Sequence, residues 1–302
     1  MRSQPRLEAM LADAMGPLMA MLADPQTTEI MVNPDGQVWL EQANQPTVCV
    51  GQHEARATEA IIRLVATLNQ RPVGFQKPSL AGVLPTGERF QGWLPPRSTA
   101  PALCIRKPPT RVFTKADWVP ERCTEAIWQA CMTVLAQGRN MLICGFMSSG
   151  KTAFMNTMVS YIAPEKRVCT FEDTPEMVKG VPNTLPLFTD DAAGMEDVVR
   201  DGWRTAAQVL LIGEMRDGPT ALNTFNLWLG QGGGIATIHA KSARAALPRV
   251  EHLCGGSAYG PRLAEVIDLI VYLKNVEGKR QVLEAIWVRG YEGGTYDIEQ
   301  VA

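Results

Sequence analysis

The chain has 302 residues, enough for two modest domains that each bury a core. Its formal net charge is −2, and 46% of its residues are hydrophobic. That composition is globular and excludes a bulk electrostatic attraction to nucleic acid or to an anionic membrane. Seven cysteines stand singly, at Cys49, Cys104, Cys123, Cys131, Cys144, Cys169 and Cys254, with no C-x-x-C pair. This argues against a zinc knuckle and for a reducing compartment.

Leu7, Met10, Leu11, Ala14, Leu18, Met21 and Leu22 recur at helical spacing and predict an amphipathic packing helix. Glu8 and Asp13 interrupt that apolar run, against an export signal. No apolar run approaches the roughly 18 residues needed to cross a bilayer. Residues 28–32 and 37–41, joined by Asn33, Pro34, Asp35 and Gly36, predict a β-hairpin. A helix is expected over 54–70, stopping before Pro72. Residues 79–84 and 88–94 flank a Pro-Thr-Gly turn and predict a second hairpin, and 101–106 a further strand. This first part, 1–108, is therefore α+β. Paired prolines at 108 and 109 predict a stiff linker over 109–120.

From 121 to 302 helix and strand alternate. Helices are expected over 121–137, 152–160, 195–204, 219–229 and 242–254. Strands are expected over 140–144, 167–172, 208–213 and 234–239, with a loop-rich acidic stretch after 172. The tail from Asp268 reads as short antiparallel strands. Buried strands alternating with helices predict an α/β domain, a largely parallel sheet covered on both faces.

Gly145, Phe146, Met147, Ser148, Ser149, Gly150, Lys151 and Thr152 fit G-x-x-x-x-G-K-[ST], between a strand and a helix. Glycines let successive backbone N–H groups point at phosphate oxygens, and the helix N-terminus adds positive polarity. Lys151 is placed to reach the β- and γ-phosphates of ATP, and the Thr152 hydroxyl to ligate Mg²⁺. Ala153 completes the candidate nucleotide-binding set in the first helical turn. The apolar run 209–213 ends in Glu214, a candidate for polarising the attacking water and for the metal site. Strand 167–172 delivers Glu172 and Asp173 at a sheet edge, where they could hold Mg²⁺ or orient the nucleophile. The plainer role for such an acid is to cap a turn. His239 follows a run of glycines, 232–234, at the end of another strand and is a candidate phosphate sensor; a lone histidine is more often structural.

Charge is unevenly spread. Residues 71–111 hold seven basic side chains and one acid, and 172–197 seven acids and one base, Lys179. Arg89 and Arg106 lie in the basic segment and are candidate arginine fingers, with Arg200, Arg204 and Arg216 as further cations. A single arginine is ordinarily a surface ion-pair partner.

Four motifs occur in order: the phosphate loop, T-F-E-D-T-P-E from Thr170, L-L-I-G-E-M-R-D from Leu210, and A-T-I-H-A from Ala236. With E-I-M-V-N-P-D-G-Q-V-W, P-T-G-E-R and C-I-R-K-P in the first part, the chain resembles the secretion-ATPase superfamily of type II and type IV secretion and type IV pili. It is most similar to the TrbB-like conjugative-transfer branch. The resemblance implies a RecA-like P-loop ATPase domain, with the smaller N-terminal domain folded over the nucleotide. It implies Lys151, Glu172, Glu214, His239, Arg89 and Arg106 as catalytic residues, and Thr152, Glu172 and Glu214 around Mg²⁺. It also implies a homohexamer, cytoplasmic and peripheral at the inner membrane through partner proteins of the secretion complex. The four-cysteine motif usual in type II secretion and pilus-extension members is missing, while pilus retraction remains a rival. A pI near 6.0, without an aromatic–basic groove, argues against direct DNA binding and a nucleic-acid motor. A nucleotide-gated scaffold with little turnover is a third reading. The chain departs from the family at Met147, Ser148 and Ser149, where Thr-Gly-Ser is usual. It departs again at Ala206, Ala207 and Gln208 (usually Pro-Asp-Arg) and at Gly230 and Gln231 (usually Gly-His).

Overall fold

A computed structural model describes residues 4–42, 45–108, 112–177, 180–190, 193–231, 233–276 and 279–301. Pro109, Thr110 and Arg111 of the expected linker, Lys179 and Asp191 of the acidic stretch, and Gly232 of the glycine run lie outside the described residues. The chain divides into two compact units, Met1–Thr110 and Arg111–Ala302.

The first unit begins with α1 (Gln4–Met15) and α2 (Pro17–Ala23). The expected amphipathic helix is thus broken in two. Pro17 has no N–H and its ring clashes with the carbonyl four residues back, so it starts a helix but does not continue one. Then follow β1 (Thr27–Val32), β2 (Gln37–Gln42), β3 (Val48–Gln52), α3 (Ala55–Leu68), β4 (Ser79–Val83), β5 (Arg89–Trp93) and β6 (Ala102–Arg106). The strands form an antiparallel sheet in the order β3-β2-β1-β6-β5-β4. Leu40, Ile30, Ile105 and Phe90 align across four strands in one row. They face Leu11, Met15, Leu18 and Leu22 of α1 and α2, and Ile61, Ile62 and Val65 of α3, in one core. β3 escaped the sequence reading because all five of its residues are exposed, leaving no buried alternation to detect.

The second unit contains α4 (Lys115–Trp118), α5 (Glu125–Gln137), β7 (Asn140–Gly145), α6 (Lys151–Val159), β8 (Val168–Glu172) and β9 (Thr184–Phe188). It continues with α7 (Met195–Asp201), β10 (Val209–Ile212), α8 (Gly218–Gln231), β11 (Gly234–Ile238), α9 (Ala243–Cys254) and α10 (Gly260–Val266). It ends with β12 (Leu269–Val276), β13 (Lys279–Glu292) and β14 (Thr295–Gln300). Strand order is β14-β13-β12-β7-β11-β10-β8-β9. From β12 to β9 the pairs are parallel, and only β13 and β14 join antiparallel. This is the α/β architecture the alternation predicts, with separate cores on the two faces of the sheet. Within the span expected as linker, Trp118 is buried in the second unit's core, edge-on to Phe154 at 5.0 Å.

β12 differs from the expected tail. It runs parallel to β7, and its fully buried first five residues make it central to the sheet rather than a terminal appendage. β9 lies in the stretch expected as loop, where Pro186 and partial exposure mask an edge strand. β11 separates β7 from β10, so the loop after β7 and the acid after β10 face each other across the end of one intervening strand.

Candidate functional site

The site forms where β7, β8, β10 and β11 end at the C-terminal edge of the second sheet, the edge that carries ligands in open α/β sheets. β7 is buried along its whole length and delivers Gly145 rigidly to that edge. The chain then turns through residues 146–149, and Gly150, in the left-handed region at φ 97°, is the N-cap of α6. Phe146 and Met147 are 57% and 77% exposed, so they offer the site backbone groups and leave their side chains outside. Ser149 is buried, and Ala153 lies within the first turn of α6.

Lys151 is 9% exposed and folds back over its own loop. Its Nζ donates to the carbonyls of Gly145 and Phe146, each at 3.0 Å, and lies 3.3 Å from His239 Nδ1. Burial pushes the Lys151 pKa down, and the nearby Glu214 charge acts in the opposite sense. His239 sits just past β11, with Nδ1 3.1 Å from the Gly145 carbonyl and Nε2 2.5 Å from Glu214 Oε1. That last approach is close but poorly directed, so Glu214 Oε1 is buried without a hydrogen bond. The other oxygen, Oε2, accepts from Arg216 Nε at 2.8 Å. Arg216 reaches on to Asp173 Oδ2 at 2.7 Å. Burial disfavours the Arg216 charge, but Glu214 and Asp173 together raise its pKa. A continuous polar line therefore runs from Lys151 through His239, Glu214 and Arg216 to Asp173.

Glu172, expected among the metal-binding and catalytic groups, makes its own contacts apart from this line. It is 4% exposed, and its Oε1 accepts from the Thr170 hydroxyl at 2.8 Å. Its Oε2 accepts from the backbone N–H of Glu176 and Met177 at 2.7 and 2.8 Å. A carboxylate so engaged organises a turn and has little capacity left for a cation. Its neighbour Asp173 carries the acidic box into the site instead. Among the described residues, no group of three or more His, Cys, Asp or Glu side chains could hold a metal ion unaided. Mg²⁺ at a phosphate loop needs few protein ligands, since phosphate and water complete its shell. The Thr152 hydroxyl in the first turn of α6 and the buried Glu214 carboxylate, whose Oε1 lies against His239 Nε2, fit that role. Ser149 Oγ, also buried without a partner, adds polar capacity beside the loop.

Arg89 and Arg106 are direct cross-strand partners in the first unit, with Glu29 opposite Arg106 on the other side. Like charges directly opposed are unfavourable unless an anion lies near them. Arg200 instead pairs with Asp197, and Arg204 with Asp201, on and just after α7.

Ser148, one of the departures from the family pattern, has φ 60°, a left-handed conformation that costs a side-chain-bearing residue about 1–2 kcal/mol. Replacing it with glycine raises the entropy of the unfolded chain by roughly 0.5–1 kcal/mol. Ser148→Gly is therefore expected to stabilise the protein by about 0.5 kcal/mol, read by denaturant unfolding. A clear loss of stability would show that Ser148 makes contacts outweighing its strain.

Comparison with known proteins follows the same lines. Residues 93–277 match the family described as Type II/IV secretion system protein. A probable conjugal transfer protein TrbB of Sinorhizobium fredii is 34% identical over 309 residues, covering 99% of this chain and 95% of that one. A VirB11 protein of Rhizobium radiobacter is 29% identical over 316 residues, covering 90% and 92%. In fold, the chain is similar to the crystal structure of the Legionella pneumophila ATPase DotB. The TM-score is 0.63 at 15% identity, over 92% of this chain and 79% of that one.

Proposed function

The chain belongs to the type II/IV secretion system protein family, and on that basis we propose that it hydrolyses ATP to ADP and phosphate as the motor of a conjugation-type, type IV secretion machine. One observation carries the reading: the phosphate loop, Lys151, His239 and Glu214 meet at one sheet edge within hydrogen-bonding or ion-pair distance of one another. The similarity to a conjugal transfer protein over nearly the whole chain supports the conjugation branch.

In this reading the N–H groups of the loop and of the first turn of α6 hold the phosphates, and Lys151 swings off the Gly145 and Phe146 carbonyls onto them. Mg²⁺, when bound, would supply neutralisation of phosphate charge, held by the Thr152 hydroxyl directly and by Glu214 through water. Glu214 takes the proton of the attacking water, and Arg216 fixes the orientation of its carboxylate. His239 touches both Lys151 and Glu214, so it senses whether Lys151 is engaged. Arg89 and Arg106, paired across β5 and β6, are the phosphate-binding cations of the N-terminal domain in this reading. The active form is a homohexamer, held at the inner membrane by other proteins of the machine. No helix among the described residues is long and apolar enough to cross a membrane, and attachment through partners needs none.

Sedimentation of the 33.0 kDa chain with Mg-ATP tests the assembly. A six-fold mass is expected, together with ATP turnover that single-stranded DNA does not stimulate. Monomer alone, with and without nucleotide, would sink the hexamer. Stimulation by DNA that vanishes with salt would point to a nucleic-acid motor.

A further inference from the structure

We propose that Phe75 of one copy of this chain inserts into an apolar groove of a second copy, formed by α1, α2 and the turn after β4, a head-to-tail contact that rests on the homohexamer reading above. Both surfaces belong to the first unit, Met1–Thr110.

The groove is a cavity of about 310 Å³ open to solvent. Leu11 and Met15 of α1, Leu22 of α2 and Leu84 just past β4 are buried and line it, and Met19, 39% exposed, stands at its rim. A benzene-sized group occupies a cavity of roughly 150 Å³, so a phenyl ring and its stem fit this one.

Phe75 is the matching knob. It is 81% exposed, a large apolar side chain left almost wholly in water. The loop that carries it is tied at its base, where the Gly74 N–H donates to the Lys77 carbonyl at 2.9 Å, so Phe75 and Gln76 stand at the tip. Pro72 and Pro78 bracket the loop and stiffen it, which lowers the entropy lost on docking. Phe75 precedes β4 and Leu84 follows it, and a five-residue strand spans about 17 Å. Knob and groove therefore lie beyond opposite ends of β4, and the ring that fills the groove comes from another copy.

Charge favours the same pairing. Loop 71–77 carries two cations, Arg71 and Lys77, and no acid. The charged residues lining the groove are Glu8 and Glu88, whose hydrogen-bond partners Gln4 and Thr86 are neutral. Opposite net charge steers the two surfaces together and sets their orientation. Because the two surfaces differ, the contact is heterologous, and repetition of such a contact closes a ring when the rotation between copies permits.

The full-length protein with benzoylphenylalanine in place of Phe75, irradiated with Mg-ATP, tests the contact. A covalent product of dimer mass is expected, with its crosslink in residues 8–23 or 84–88. Phe75→Glu and Met19→Glu, both at exposed positions, should keep the parental Tm. Each should need roughly 30-fold more protein to reach the six-fold mass, the loss of one aromatic anchor. An assembled protein that crosslinks elsewhere, or not between chains, would overturn the proposal. So would parental assembly of both variants. A parent that stays monomeric with and without nucleotide would instead remove the homohexamer reading, and this contact with it.

Discussion

Lys151→Ala is expected to abolish measurable ATP turnover and to weaken nucleotide binding by about 10- to 100-fold, the loss of one or two buried charge-assisted hydrogen bonds. The geometry makes the effect specific. Lys151 is the cation at the mouth of the loop, held 3.0 Å from two loop carbonyls and poised beside His239 and Glu214. Its removal takes away the charge that meets the β- and γ-phosphates, and of the two loop carbonyls only that of Gly145 keeps another described side-chain contact, with His239. The alanine variant should still fold, because α6 packs through Phe154, Met155 and Met158, which the change does not touch. Equilibrium titration with Mg-ATP and a phosphate-release assay read the two effects separately. Parental affinity in a folded Lys151→Ala protein would remove the loop from the nucleotide site.

Glu214→Gln is expected to separate binding from chemistry. The substitution keeps the volume and removes the charge, so ADP and ATP affinity should hold or rise, one negative charge having left the neighbourhood of the phosphates. Turnover should fall by roughly 100-fold or more, the usual contribution of a positioned general base. Arg216 retains its 2.7 Å ion pair with Asp173, so the local structure has an anchor without Glu214. Single-turnover hydrolysis beside nucleotide titration distinguishes the two effects. Turnover at the parental rate would transfer the role of base to another carboxylate, with Asp173 the nearest on the same polar line.

Much of the site was legible because its signals are local. The loop residues Gly145 to Thr152 carry their own spacing, and Glu214 and His239 each end an apolar run of strand length, so their arrival at one sheet edge follows from the α/β pattern. Glu172 and Asp173 show the limit of that reading. They are adjacent at the end of one strand, and nothing in the spacing says which carboxylate turns inward to Thr170 and the backbone of Glu176 and Met177, and which reaches Arg216. Arg216 was one of several candidate arginines, and only its distances to Glu214 and Asp173 set it apart from Arg200 and Arg204, which pair with acids one helical turn away.

By itself the sequence determined the two-part organisation, the α/β class of the second part, the phosphate loop and the set of acids and histidine around it. These features rest on patterns spanning a few residues to one strand: periodicity, turn chemistry and motif spacing. Only the tertiary structure decided that β12 lies parallel beside β7, that Leu273 and Arg280 press on Gly145 and Gly150, and that Lys151 rests on its own loop. All but the last join residues more than a hundred positions apart. Side-chain direction at such distances is set by which strand pairs with which and by where each buried polar atom finds a partner, and a one-dimensional pattern records neither.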